Sequence, residues 1–250
     1  LPQEEECVDI GVYGIIALAA AGFLTGIAKN GVPGLVTVVT PFLAMVIPAR
    51  TATGMLLPLL VTADITAVIF WRKKTVWKQL FRLFPWTLGG ILAGYLIMRA
   101  VDDATFRPIL GAIIVIMTIL GMLRKRYNLK ISPDNKPLVA VVGFLAGMFT
   151  LMANAAAPLL AMYFLSLNLD KEELVGTNAW FFFVVNLIRI PVTISLGVLT
   201  LDRFLVDLTL VPLVLAGAYI GSRFLRKIPL KTFAFITEGL ALVAGLRLIF

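Results

Sequence analysis

Lys29-Asn30-Gly31-Val32-Pro33-Gly34 interrupts what is otherwise one apolar run near the start of the chain. A lysine, an amide and three helix-disrupting residues separate Ile10–Ala28 from Leu35–Ile47, and both flanks read as membrane helix. Broken backbone and a charge at membrane depth are costly in lipid. They persist where protein buries them or where they line a cavity. The hexapeptide therefore predicts a helix broken inside the membrane.

Composition fixes the class. Hydrophobic residues make up 60% of the chain and charged residues 14%, with a mean hydropathy of +0.98. That balance predicts an all-α polytopic membrane protein held by a lipid bilayer, with almost no soluble part. The net charge of +8 lies mostly in three short loops, so it reports orientation and not nucleic-acid binding. The sequence has no histidine and one cysteine, Cys7. His-based metal sites, Ser-His or Cys-His nucleophilic centres and intrachain disulfides are excluded, and no cofactor is expected. Leu1 in place of Met reads as a processed or trimmed start or an expression scar, and residues 1–9 read as an acidic tail with Glu4, Glu5, Glu6 and Asp9.

The polar stretch 124–136, with Ser132-Pro133-Asp134-Asn135, divides two halves that resemble each other, 10–123 and 137–250. Gly22-Phe23-Leu24-Thr25-Gly26 matches Gly143-Phe144-Leu145-Ala146-Gly147. Pro41-Phe42-Leu43-Ala44-Met45 matches Pro158-Leu159-Leu160-Ala161-Met162, and Thr53 corresponds to Thr177. Gly90–Gly94 matches Gly217–Gly221, both small-xxx-small patterns that predict close helix packing.

Each half holds about five helical elements: Ile10–Ala28, Leu35–Ile47, Ala52–Trp71, Leu80–Met98 and Phe106–Leu123, then Pro137–Leu151, Ala157–Leu167, Leu174–Ser195, Arg203–Phe224 and Lys231–Ile249. A span needs about 20 residues to cross about 30 Å of hydrocarbon. The second element of each half has only 13 and 11 residues. Each half is therefore expected to open with a re-entrant or broken helical hairpin.

Loop charge sets the expected topology. Basic residues cluster at 72–82, 124–136 and 223–231, which the positive-inside rule places in the cytoplasm. The third loop joins the other two only if Pro137–Leu167 returns to its starting side. Three full crossings then remain in each half, so the halves become two inverted repeats. The N-terminus lies outside, and the tips Lys29–Gly34 and Met152–Ala156 meet near the midplane. Trp71, Trp77 and Trp86 read as interfacial anchors.

At such tips, helix termini and open backbone offer N–H groups to an anion. Gly31 and Gly34 permit close approach, Lys29 adds charge, and Asn30 and Asn154 add amides. A helix cap is the plainer reading of Asn154, and snorkelling to an interface that of Lys29. Arg189 and Asp64 lie inside apolar helices, where each costs about 2.5–3.5 kcal/mol at the bilayer centre. Either Asp64 pairs structurally with Arg189 or Lys29, or Arg189 is an anion ligand and Asp64 a protonatable coupling group. Thr53, Thr177 and Asn178 read first as helix caps and, beside the tips, as candidate substrate contacts.

Gly22 to Gly34, Pro41, Ala52-Thr53-Gly54, Ala153-Asn154-Ala155-Ala156-Ala157-Pro158 and Gly176-Thr177-Asn178 together resemble the TauE/SafE sulfite exporter family, over about residues 10–250. The resemblance implies export of small sulfur-containing anions such as sulfite or organosulfonates across the bacterial inner membrane. Many members carry a denser glycine run where this chain has Lys29 to Gly34 and Asn154 with alanines. The sequence thus predicts a secondary transporter of a small anion, binding it with Lys29, Asn30, Gly31, Gly34, Thr53, Asn154, Thr177, Asn178 and Arg189 and coupling through Asp64. Proton or sodium coupling and a homodimer are admitted by the pattern and not fixed by it. A passive anion channel on the same scaffold is the alternative. An intramembrane enzyme is disfavoured by the lack of buried nucleophiles and bases.

Overall fold

The computed structural model describes residues 11–30, 35–71, 75–128, 135–223 and 230–250, without the side chains of residues 30, 71, 171 and 230–236. Among them the chain forms ten α-helices: α1 Gly11–Asn30, α2 Val36–Leu43, α3 Ala49–Trp71, α4 Trp77–Ala100, α5 Asp103–Tyr127, α6 Lys136–Ala153, α7 Ala157–Phe164, α8 Lys171–Ser195, α9 Leu201–Arg223 and α10 Leu230–Ile249. A 3-10 turn, Leu165–Leu167, follows α7. Seven of these helices, α1, α3, α4, α5, α6, α8 and α9, are long and apolar enough to cross a membrane. The surface agrees: Val12, Ile16, Ile69, Phe70, Leu92 and Leu205 are exposed, while Thr25, Asp64, Asn186, Arg189 and Asp207 are buried. Apolar outside and polar inside is the distribution of a protein solvated by lipid.

Several helices run further than their apolar cores, because charged residues make good ends. Asp170 caps α8 by accepting from the Glu173 N–H, and Glu173 accepts in return from the Asp170 N–H. This capping box starts α8 at Lys171, so Thr177 lies inside the helix and is not its cap. Asp103, the first residue of α5, accepts from the backbone N–H groups of Ala49 (3.2 Å) and Arg50 (2.8 Å) at the start of α3. A carboxylate from a neighbouring helix thus satisfies the open donors of α3, and Thr53 sits one turn inside it. At its other end α5 continues to Tyr127 and stops at Asn128 in the left-handed conformation. Arg124, Lys125 and Arg126 therefore form its last turn and are not part of a loop.

The packing explains the sequence matches. A Cβ on Gly26 of α1 would strike the Val214 carbonyl of α9, and one on Gly217 of α9 would strike the Phe23 carbonyl of α1. The same interlock joins α6 to α4, with Gly147 against the Thr87 carbonyl and Gly90 against the Phe144 carbonyl. Each pair runs parallel, glycine against backbone, as small-xxx-small crossings require. Two further pairs run antiparallel. In α3 and α8, Gly54 meets Val198 just past the end of α8, Asp64 meets Asn186, and Ala67 packs with Ala179. In α5 and α10, Gly111 meets Gly245 and Lys125 meets Glu238. Short α2 lies against α10 and short α7 against α5.

Candidate functional site

Three helices bring their ionisable residues to one place. Lys29, in the last turn of α1, puts its ammonium 2.7 Å from Oδ1 of Asp64 in α3. The same ammonium stands over the Phe182 ring of α8, 4.2 Å from the centroid, a cation–π contact. Asp64 is fully buried, and its Oδ2 accepts from Nδ2 of Asn186 at 2.6 Å. Oδ1 of Asn186 accepts from Nη1 of Arg189 at 2.8 Å. Nη2 of Arg189 donates to the Leu151 carbonyl of α6 at 3.2 Å. Asn186 and Arg189 are three residues apart on α8, which puts them on one face. The network therefore runs from α1 through α3 and α8 to α6. With its three charged members ionised it carries two positive charges and one negative.

Beside it lies the break between α6 and α7. Asn154 ends α6 at φ 52°; its N–H donates to the Thr150 carbonyl and the Ala155 N–H to the Phe149 carbonyl. Asparagine tolerates this left-handed geometry better than most residues. Its Nδ2 reaches Thr40 Oγ1 of α2 at 3.4 Å, while its buried Oδ1 has no hydrogen-bond partner among the described residues. Ala155 and Ala156 are fully buried, and α7 begins at once with Ala157-Pro158.

Between these groups is a cavity of about 290 Å³. That is on the order of ten water volumes, ample for a small hydrated anion. Lys29, Asp64 and Asn186 wall one end, Asn154 and Ala157 a flank, and Arg124, Leu165 and Leu174 the other end. Its wall on α8 extends from Asn186 to Leu174, about 18 Å at the helical rise. Leu165 is exposed, so this second end reaches the surface where α5 ends and α8 begins. Toward the other face, Met55, Leu56 and Leu59 of α3 and Val185 of α8 are fully buried.

A family model described as sulfite exporter TauE/SafE matches residues 18–248, which take in both helix breaks and every residue of the cavity wall. The chain belongs to the TauE/SafE sulfite exporter family. Comparison with curated proteins and with solved structures returns no match. TauE/SafE proteins are membrane transporters, and the seven apolar helices of this member make it a multi-pass membrane protein.

In this TauE/SafE chain the residues singled out from sequence fall into four groups. Lys29, Asp64, Asn154 and Asn178 line the cavity. Asp64 pairs with Lys29, and Arg189 reaches it only through Asn186. Arg189 is fully buried and lies behind the cavity wall. Thr53 and Thr177 are elsewhere: Thr53 donates to the Arg50 carbonyl, and Thr177 accepts from the Val76 N–H, tying the segment before α4 to α8. Gly31, Gly34 and the side chain of Asn30 lie outside the described residues. Asn186 was missed, although its spacing from Arg189 on an apolar helix is a legible signal. Asp207, a fully buried acid of α9 whose carboxylate oxygens have no partner among the described residues, was also missed.

Proposed function

We propose that the protein is a secondary transporter of small sulfur oxyanions, sulfite or organosulfonates, exporting them by alternating access around the cavity between the two helix breaks. The observation that carries this reading is the cavity wall itself. It joins Lys29 from the first break and Asn154 from the second, over a buried network with an excess positive charge. A small oxyanion needs charge-assisted donors and little else. Lys29 would supply charge, Asn154 and Asn178 amide donors, and Asn30, Gly31 and Gly34 backbone approach at the first tip. Arg189 would act at one remove, adding field and holding Asn186. Asp64 pairs with Lys29 and would exchange it with an anion, which makes it the natural coupling group for a proton or a sodium ion.

The transport cycle follows from an inverted repeat. In this reading the halves 10–123 and 137–250 are related by a two-fold axis in the membrane plane. Repeat-related helices α3 and α8, and α5 and α10, run antiparallel where they meet, as such an axis requires. The hairpins α1–α2 and α6–α7 then enter from opposite faces, with the N-terminus outside and the basic segments 72–82, 124–136 and 223–231 at the cytoplasmic side. The cavity opens toward that basic face and is packed shut by α3 and α8 on the other, an inward-facing state in the inner membrane.

Flux in proteoliposomes tests the function. Labelled sulfite or a taurine-like sulfonate is expected to be carried, and acetate to be carried poorly. Accumulation against a gradient, lost on adding an uncoupler, separates a carrier from a passive channel. Absence of any sulfur-anion flux from folded, reconstituted protein would refute the proposal.

A further inference from the structure

We infer that Arg124 is an anion ligand at the mouth of the cavity, the residue that meets the substrate first from the basic face. This rests on the transport reading above and names a group which that reading does not use. Three consecutive basic residues end α5, and they have three different surroundings. Lys125 is in a salt bridge with Glu238 of α10. Arg126 lies over the ring of Tyr127. Arg124 alone of the three lines the cavity. It is half-buried, its Nε is buried without a hydrogen-bond partner among the described residues, and no carboxylate of those residues lies within salt-bridge distance of it.

The contrast with the other cations is the core of the inference. Of the two cationic side chains on the cavity wall, Lys29 is held by Asp64 at 2.7 Å. Arg189 is bonded to Asn186 and the Leu151 carbonyl, behind the wall. Arg124 is the cation on that wall with no acid at salt-bridge distance among the described residues; Glu238, the carboxylate whose charge reaches it, is bridged to Lys125. A guanidinium presents a planar fork of donors suited to two oxygens of one sulfite or sulfonate group. Asn178 lies further along the same wall, between Arg124 and the Lys29–Asp64 pair, and its amide would hand the anion inward. Sulfur oxyanions with at least two free oxygens fit this mouth better than chloride does.

The test is binding and flux with sodium sulfite and sodium methanesulfonate, on the wild type and on Arg124→Gln, Arg124→Lys and Lys125→Gln. Ligand-dependent thermal shift gives the affinity. Losing a charged hydrogen-bonding partner weakens binding about tenfold or more. That is the expected result for Arg124→Gln, with Arg124→Lys weakened less and Lys125→Gln unchanged. Wild-type affinity in Arg124→Gln would overturn the inference. So would equal losses in Arg124→Gln and Lys125→Gln, which would mean a diffuse surface potential. If Arg124→Gln does not fold, Arg124→Lys decides: a several-fold loss supports the contact, and wild-type affinity refutes it. A wild type that neither binds nor carries either anion would instead refute the transport reading, and this assignment with it.

Discussion

Two arginines on long membrane helices, Arg189 and Arg124, look alike in sequence terms and differ in almost everything else. Arg189 is fully buried, and its guanidinium is spent on Asn186 and a backbone carbonyl of α6. Arg124 sits at a helix end, half-buried, on a cavity wall, with no carboxylate of the described residues at salt-bridge distance. A charge deep in an apolar helix is conspicuous because lipid penalises it, yet that penalty is also what forces it into bonds with its neighbours. The cavity-wall cation that has no salt bridge among the described residues is found where the penalty is smaller, near the surface. Depth in the membrane is therefore a sign of structure as often as of ligand binding.

The comparison breaks most sharply at the Lys29–Asp64 pair. Removing one partner of a buried ion pair costs about 3–5 kcal/mol, so Lys29→Met is expected to lower the melting temperature in detergent strongly and to abolish flux. The double variant Lys29→Met/Asp64→Asn should recover much of the stability and none of the transport. Recovery of both would reduce the pair to a structural device. Arg189→Met comes next. It leaves the Asn186 and Leu151 acceptors unpaired in the interior, about 2–3 kcal/mol by ordinary hydrogen-bond losses. Stability should fall, while surviving folded protein keeps an affinity for sulfite closer to wild type than Arg124→Gln does. The opposite ranking would return Arg189 to the role of direct ligand.

Smaller effects sharpen the frame around the site. Gly26→Ala forces the α1–α9 interlock apart, and overpacking of this kind costs about 1–3 kcal/mol. Gly147→Ala, at the matching position of α6, does the same to α4–α6 and should match it, since the two crossings share one geometry. Unequal losses would weaken the two-fold account. Asp207 offers the smallest change. Aligning Gly217 with Gly90 puts the buried Leu80 of α4 opposite Asp207 of α9, so the sister half fills this place with an apolar side chain. Asp207→Leu is expected to raise the melting temperature modestly, by relieving a buried polar group with no partner among the described residues. A large loss of stability or flux would assign Asp207 a function that the packing does not suggest.

The helices were legible because hydropathy and loop charge report directly on solvation by lipid. All ten elements stand where apolar runs and breaks placed them. Their ends were less legible. Lys171-Glu172-Glu173 and Arg124-Lys125-Arg126 read as loop, but a capping box and the favourable interaction of cations with a helix C-terminus extend α8 and α5 through them. That error also hid Arg124, since a loop charge draws no attention. Lys29, Asp64 and Arg189 were visible as single costly residues. Which of them pair was not, because it depends on how α1, α3 and α8 cross, and sequence periodicity within one helix carries no information about crossings. Thr53 and Thr177 were misread as caps for the same reason: the groups that start their helices are Asp103 of α5 and the Asp170–Glu173 box.

The account stands on the anion occupying the cavity between the two breaks, and site-directed labelling reaches that point most directly. Ala161 of α7 lines the cavity, and Cys7 is the only native cysteine. In a Cys7→Ser background, Ala161→Cys should react with a small maleimide, methanesulfonate should slow that reaction, and the labelled protein should no longer carry sulfite. Labelling at an unchanged rate under saturating methanesulfonate, with sulfite flux intact afterwards, would place the substrate's path elsewhere and contradict it.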